Sequence, residues 1–385
     1  MPLTTAEEAL IAQAATLAHH RITPLAPTWE RERRIGREVL DAAVALGLTR
    51  LQLPASHGGL DFSFQCKARV AEVLAGGDFG FCMSWVNTAN VAALLARKAQ
   101  PAVAARYVDD LVAGRRLGCT ALTEPGAGSD FAAITTTATR LPATAGGGWR
   151  IDGAKAWITN AAEADVVVLY AQTEPGSGGS GIAGFVVDGR RAGFVREPGY
   201  ALGGQHTIGT GGFRLDGYTA SDDELLHPPG QAFKAALGSI NGARTYIAAM
   251  CCGMVGEALR VAQAHGAQRH SFGVPLQQHQ GWRWRLAEAA SELAACRAMV
   301  AQAAEAIDAG ADAQLLAAQA KLLATRMADR QIAALAQAIG AEGLREHHPF
   351  ARHAAGARVA NFVDGSTEML LERIAAVMAR SAAAG

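Results

Sequence analysis

The sequence predicts an α+β chain, mostly helical: an N-terminal α-helical domain over 1–118, a middle β-sandwich or barrel domain over 119–228 and a C-terminal four-helix bundle over 229–385. Three observations carry this. Apolar residues recur at helical spacing at both ends of the chain, short β-type runs separated by glycine tracts fill the middle, and the last third is alanine-rich over long periods. The 385 residues leave room for roughly two or three domains.

Thr5 and Glu8 read as a capping box, followed at helical spacing by Leu10, Ile11, Ala14, Leu17 and Ala18. A second helix through Val39, Leu40, Ala43 and Leu46 stops at Gly47. The loop 53–59 punctuates, and two or three more helices follow. In the middle, Thr135-Thr136-Thr137, 166–170 and Phe185-Val186-Val187 read as strands. Gly146-Gly147-Gly148, Asp152-Gly153, 176–181 and Asp188-Gly189 read as the turns between them. None of these glycine tracts has a GK[ST] ending or a strand–GxGxxG–helix context, so they are turns and not phosphate loops. Helical periods run through 234–267, 276–309 and 313–339, break at Gly310 and Gly340, and resume after Gly365, the pattern of an antiparallel bundle. Alanine faces let helices approach closely but bury little area each, which favours further burial between subunits.

Composition narrows the function classes. Thirty-five basic residues balance 35 acidic ones, without the basic excess of a nucleic-acid binder. Half the chain is hydrophobic, 18% is charged and the mean hydropathy is +0.10, which excludes extensive disorder. Charged residues, glycine or proline interrupt the apolar runs before the ~20 residues of a membrane span. The first residues carry neither a basic segment nor an apolar one, so no secretory signal is expected. Cys66, Cys82, Cys119, Cys251, Cys252 and Cys296 form no CxxC pair and read as reduced, buried residues of a cytoplasmic protein. His347-His348 with His353 lacks a cysteine or carboxylate framework and reads as surface or interface histidines; no metal is expected. Trp282 and Trp284 are expected to pack.

Two segments carry chemistry. In Ala121-Leu122-Thr123-Glu124-Pro125-Gly126-Ala127-Gly128-Ser129-Asp130, a strand end turns through Pro125, Gly126 and Gly128. It either presents backbone N–H groups and the Thr123 and Ser129 hydroxyls to a polar, often anionic ligand, or is a decorated turn. In Lys155-Ala156-Trp157-Ile158-Thr159-Asn160, Trp157 lies one pleat from Thr159. The pair suits a flat heterocycle, or Trp157 is a core residue.

Together these segments resemble the TEP-x-AGSD and W-I-[TS]-N motifs of the acyl-CoA dehydrogenase family, which flank the isoalloxazine ring of FAD. The resemblance extends over essentially the whole chain. It includes the LPxxxGG loop at 53–59, Arg269, Phe272, Gly273, Pro275 and Gln280 as R-x-x-F-G-x-P and its downstream Gln, and 337–343 as Q-x-x-G-G-x-G. It implies that Leu122, Thr123, Gly128 and Ser129 line the flavin, with Trp157 and Ile158 beside it and the Thr159 hydroxyl near N5. It implies further that Arg269, Phe272, Gln280, Gln337, Gly340 and Ala341 hold pyrophosphate and adenosine, partly across a subunit interface. Ser366 and Glu368, where the family usually has Thr and Gln, complete that set. Ser129, Arg244, Gly365 and Trp85 are the implied substrate contacts.

The family's reaction is α,β-dehydrogenation of an acyl thioester: a carboxylate removes the α-proton as the β-hydrogen leaves as hydride to flavin N5. The usual base is the Glu of Y-E-G-T. Here the stretch is Val363-Asp364-Gly365-Ser366, with Asp364 in its place. Asp is one methylene shorter, and misplacement by about 1 Å can cost about 10²-fold. Three readings stand open: Asp364 is a working base; another base acts, against which stands Ala243 where some branches carry Glu; or Asp364 caps the last helix. The family's Arg-Asp pair is Ala355-Gly356 here, and Arg358 keeps a cation nearby. The resemblance implies acyl-CoA or acyl-carrier-protein thioesters as substrates, an electron-transfer flavoprotein as acceptor, and a homodimer or homotetramer. The alternatives are a carrier-protein-linked dehydrogenase of a natural-product pathway, a flavin oxidase of a non-thioester carbon acid, and a non-catalytic flavoprotein.

Overall fold

The computed structural model describes residues 2–384. Helix α1 (Thr5–Leu17) opens on a capping box, but one residue earlier than expected: the Thr4 hydroxyl accepts from Glu7 N, and the Glu7 carboxylate accepts from Thr4 N. Through a π turn at Ala18–Ile22 it runs into α2 (Thr23–Glu32), which has Pro24 in its first turn and Pro27 inside it and buries Ala26 and Trp29. Helix α3 (Arg37–Ala45) gives way to Gly47, whose φ of 81° is the left-handed stop that glycine supplies. Helices α4 (Phe64–Gly77), α5 (Phe79–Lys98) and α6 (Pro101–Val112) complete the N-terminal region.

Eight strands follow: β1 (Gly118–Ala121), β2 (Thr137–Arg140), β3 (Trp149–Ile158), β4 (Val166–Gln172), β5 (Ile182–Asp188), β6 (Phe194–Arg196), β7 (Gly211–Ala220) and β8 (Leu225–His227). They form one sheet in the order β6-β7-β3-β2-β4-β5-β8, with β1 parallel to β4. The run at 166–170 is continuously apolar because β4 is buried on both faces. Val167, Leu169 and Ala171 enter a core with Phe185, Phe213 and Tyr218; Val166, Val168 and Tyr170 meet Val91, Leu95, Tyr107 and Leu111 of α5 and α6. The expected strand at 135–137 begins only at Thr137, because the backbone N–H groups of Thr135 and Thr136 are taken by Glu124.

The C-terminal region holds α7 (Ala232–Gln268), a short hairpin β9–β10 (His270–Ser271, Val274–Pro275), α8 (Gln280–Asp308), α9 (Gln314–Ala338), α10 (Phe350–Phe362) and α11 (Thr367–Ala384). This is one helix more than the four expected; α10 follows no predicted period. Helix α7 packs on α8, α9 and α4, and crosses α4 so closely that a Cβ on Gly253 would lie 1.9 Å from the Glu72 carbonyl. The six cysteines are free and buried. Contrary to the expectation of short apolar runs, α5 and α7 are long and apolar enough to cross a membrane by length and composition. Of their apolar windows 72% and 67% are buried within the fold, as befits core helices.

Candidate active site

The loop after β1 turns back at Pro125-Gly126, closed by Glu124 N to Ala127 O at 2.9 Å and Ala127 N to Glu124 O at 3.2 Å. Glu124 itself, to which the motif assigned no role, holds the loop. Its buried carboxylate accepts from Lys155 Nζ at 2.8 Å, Thr135 N at 2.6 Å, Thr135 Oγ1 at 2.8 Å and Thr136 N at 3.0 Å. Lys155 Nζ also donates to Leu122 O at 3.1 Å. Burial alone would raise the Glu124 pKa, but the Lys155 ammonium and these hydrogen bonds outweigh it and bring it to about 2. With its inner side fixed, the loop leaves its outer side open: a Cβ on Gly126 or Gly128 would meet nothing within 4 Å, and Ser129 is exposed.

The second motif lies against this loop, with Ala156 N donating to Thr123 O at 3.1 Å. Trp157 has a φ of 60°, and the register with β7 slips between Lys155 and Ile158. The expected one-pleat relation of Trp157 to Thr159 is therefore absent, since a left-handed residue breaks the alternation and β3 ends at Ile158. Trp157 stands 61% exposed, edge-on to Tyr200, while Ile158 turns its side chain into the sheet core and leaves only its backbone at the motif's outer face. Asn160, also left-handed, donates to Ser84 O at 3.2 Å and Gly118 O at 3.0 Å, anchoring the bulge to α5 and β1.

A second cluster lies on the C-terminal helices. Arg269 ends α7, Phe272 at the hairpin tip is 97% exposed, and Gln280 opens α8. Gln337, Gly340 and Ala341 are exposed at the end of α9. Trp282 packs as expected and joins these ends, donating to Ala338 O at 2.9 Å beside a cavity of about 300 Å³ lined by Gly281, Arg285 and Gln337. Trp284 does not pack; it is 64% exposed.

The third cluster is the turn between α10 and α11, where Asp364 has a φ of 54°. The turn is held by its carbonyls. Lys321 Nζ, wholly buried on α9, donates to Val363 O and to Gly365 O at 2.5 Å, and Arg244 Nε donates to Asp364 O at 3.2 Å. The cap of α11 is Ser366, whose oxygens accept from Met369 N and Leu370 N, so Asp364 is not the N-cap. No described residue donates a hydrogen bond to the Asp364 carboxylate. The side chain keeps some exposure, yet desolvation raises its pKa, and Lys321 and Arg244 pull it back down. Ser366 and Gly365 are half-buried beside it, and Glu368 is exposed. Arg358 pairs with Asp329 at 3.5 Å on the surface; the cation behind the turn is Lys321 instead.

Trp85 is buried on α5, its indole N–H without a partner. Lys67 extends the site in a way the sequence did not signal. Buried on α4, it donates to Gln52 Oε1 at 2.9 Å and to Asn90 Oδ1, and lies 5.3 Å over the Tyr246 ring. Burial, then Arg97, lowers its pKa to about 7; burial, then the charge of Asp364, raises that of Tyr246. His353 does not join His347 and His348. It is buried, with Nε2 at 3.1 Å from Gly76 O.

Comparison with known proteins gives this arrangement a family. The models of the acyl-CoA dehydrogenase N-terminal, middle and C-terminal domains match residues 4–115, 119–218 and 230–379. The mitochondrial short-chain specific acyl-CoA dehydrogenase of Bos taurus is 30% identical over 362 residues, covering 91% of this chain and 85% of its own. The structure of butyryl-CoA dehydrogenase from Megasphaera elsdenii superposes with a TM-score of 0.92 at 26% identity, covering 98% of this chain and 99% of that one. A glutaryl-coenzyme A dehydrogenase in complex with glutaryl-CoA superposes with a TM-score of 0.90 at 27% identity, over 97% and 95% of the two chains. With all three domains matched in order and a relative aligned over most of both lengths, the chain belongs to the acyl-CoA dehydrogenase family.

Proposed function

We propose that the chain oxidises an acyl-CoA thioester to the α,β-enoyl thioester with FAD, and that Asp364 removes the α-proton. The observation that carries this is the state of the Asp364 carboxylate. It is desolvated, accepts no hydrogen bond from a described residue, and sits on a turn held through its carbonyls by Lys321 and Arg244. Such a carboxylate keeps its lone pairs for a C–H proton, and its raised pKa makes it the stronger base. The neighbouring ammonium and guanidinium favour the ionised form that the step requires. Ala243, the other family position for a base, has no acid to offer.

FAD, when bound, accepts the β-hydrogen with its electron pair. The residues present fit it. The open space beside Gly126 and Gly128 lets a ligand reach the backbone of 122–129, and Trp157 offers an exposed flat face next to that loop. Leu122, Thr123, Gly128, Ser129, Trp157, Thr159 and the Ile158 backbone would hold the ring; Arg269, Phe272, Gln280, Gln337, Gly340 and Ala341 would hold pyrophosphate and adenosine, with Ser366 and Glu368. Ser129, Arg244, Gly365 and Trp85 would contact the substrate. The exposure of Phe272, of Trp284 and of Leu344 at 84% supports a homodimer or homotetramer that covers them. The family resemblance supports an electron-transfer flavoprotein as acceptor, and six unpaired buried cysteines support a cytoplasmic setting.

Anaerobic mixing of the purified protein with a panel of acyl-CoAs and acyl-carrier-protein thioesters tests the reading. Bleaching of the oxidised flavin by an acyl-CoA is the expected result. A flavin that no thioester reduces, or that only carrier-protein thioesters reduce, overturns it.

A further inference from the structure

We infer that Glu342, His347 and His348 form a binding site for a divalent transition metal of the zinc class, between the Gly340–Leu344 turn and the start of α10. The Glu342 carboxylate already stands at near-ligand spacing from both imidazoles. Glu342 Oε1 lies 3.3 Å from His348 Nε2 and 3.7 Å from His347 Nε2, and the three donors lie within 4.8 Å of one another. Metal–ligand bonds of about 2.0–2.2 Å meeting at tetrahedral angles place neighbouring donors roughly 3.3–3.6 Å apart, so two of the three edges need almost no adjustment. The two imidazoles sit 4.1 Å apart, ring to ring, and both Nε2 atoms lie within 3.7 Å of one carboxylate oxygen, His348 in hydrogen-bond geometry with it.

The donor chemistry selects the metal. Two imidazoles and one carboxylate suit Zn²⁺ and its neighbours, and are a poor match to the all-oxygen shells of Ca²⁺ or Mg²⁺. All three residues line a cavity of about 420 Å³, with Thr23, Glu257, Arg260 and His265 also on its wall, which leaves room for water or a further ligand. Arg345 Nη1 lies 3.2 Å from the same Glu342 oxygen; its guanidinium is solvent-exposed and free to move away as the ion enters. His353, grouped with these histidines by sequence, is buried elsewhere, and the signature is Glu-x₄-His-His. A bound ion ties the turn after Gly340 to the start of α10, so occupancy stabilises the folded chain by mass action.

The test is equilibrium dialysis of the chelator-stripped, FAD-replete protein against Zn²⁺, with metal analysis and thermal unfolding. One equivalent per chain is expected, with a rise in Tm on addition of Zn²⁺. Glu342→Gln and the pair His347→Ala/His348→Ala each weaken that binding by about tenfold or more, since even outer-shell partners of a metal are worth 10- to 100-fold. His19→Ala/His20→Ala, which removes another adjacent and exposed histidine pair, leaves it unchanged. The proposal is overturned if no Zn²⁺ is retained, or if the stoichiometry and Tm shift survive in the 347/348 variant, or if they vanish equally in the 19/20 variant. Flavin absorbance and circular dichroism establish that each variant is folded before its binding is read.

Discussion

In the middle domain the buried Lys155 donates straight to Glu124, while in the bundle the buried Lys321 donates to the carbonyls of Val363 and Gly365 and leaves the Asp364 carboxylate without a donor. Both lysines are removed from water and both stand near a carboxylate, yet the two acids diverge. Glu124 is held at about 2, and Asp364 is raised from its ordinary value. At Glu124 the Lys155 charge and the donors on the carboxylate together outweigh burial, whereas at Asp364 burial prevails over the charges of Lys321 and Arg244 and no donor reaches the carboxylate. Four hydrogen bonds make Glu124 a fixed anion that shapes a loop; none makes Asp364 available to a substrate proton. A buried ammonium can thus serve structure or chemistry according to where its N–H groups point.

The largest expected effect divides the two acids by what each variant loses. Asp364→Asn keeps shape and flavin but removes the base, and the rate of flavin reduction by acyl-CoA falls by about 10²–10⁴-fold in anaerobic stopped flow. A variant that reduces flavin at the parent rate breaks the assignment. Lys155→Met acts on stability instead. It strands the Glu124 anion in a buried site, and breaking such a pair costs about 3–5 kcal/mol in denaturant unfolding. Adding Glu124→Gln to it recovers part of that loss, because the stranded charge is gone. Equal losses for the single and double variants show that the ion pair is not what holds the loop.

Lys321→Met comes third and tests the bundle side. It removes two hydrogen bonds between the ammonium and backbone carbonyls, worth about 1.5–3 kcal/mol each where a charged group takes part. The turn carrying Asp364 then loosens, and the expected loss in kcat is about tenfold to 10²-fold with KM nearly unchanged, since misplacement by about 1 Å has that cost. A variant with lowered stability and unaltered kcat shows that Lys321 only supports the fold.

The glycine and proline positions of 125–128 made the first loop legible, because few other residues make such a turn. The pairing of Glu124 with Lys155, 31 residues away, and of Lys321 with Gly365, 44 away, left no comparable mark. A lysine in a helical period reads as solvated until the fold shows that its neighbours on every side are buried. Thr4-Thr5-Ala6-Glu7-Glu8 fits the capping-box spacing in two registers, and only the backbone selects Thr4. The bulge at Trp157 was hidden for a different reason: an aromatic residue gives no hint of a positive φ, so the regular alternation of a strand was the natural assumption. Asp364 was visible by its place in the chain, but that Ser366 relieves it of capping was not.

The smallest effect is also the one that reads both acids in a single kind of measurement. Asp364 must be ionised to accept a proton, and desolvation raises its pKa, so the flavin-reduction rate falls with acid through a pKa above the ordinary Asp value of about 3.9. Lys321 and Arg244 hold that pKa down, so in Lys321→Met the inflection moves to higher pH. Glu124 shifts the other way. Its folded pKa lies below the unfolded value of about 4.3, so its contribution to stability is complete above that value and drains away as the pH falls towards about 2. Stability between these pH values should therefore decline less steeply in Glu124→Gln than in the parent, while the rate inflection stays where it was. A Glu124→Gln variant whose rate inflection moves would mean that the two carboxylates are not insulated from one another, and a Lys321→Met variant whose inflection stays put would mean that the Lys321 charge does not hold the Asp364 pKa down.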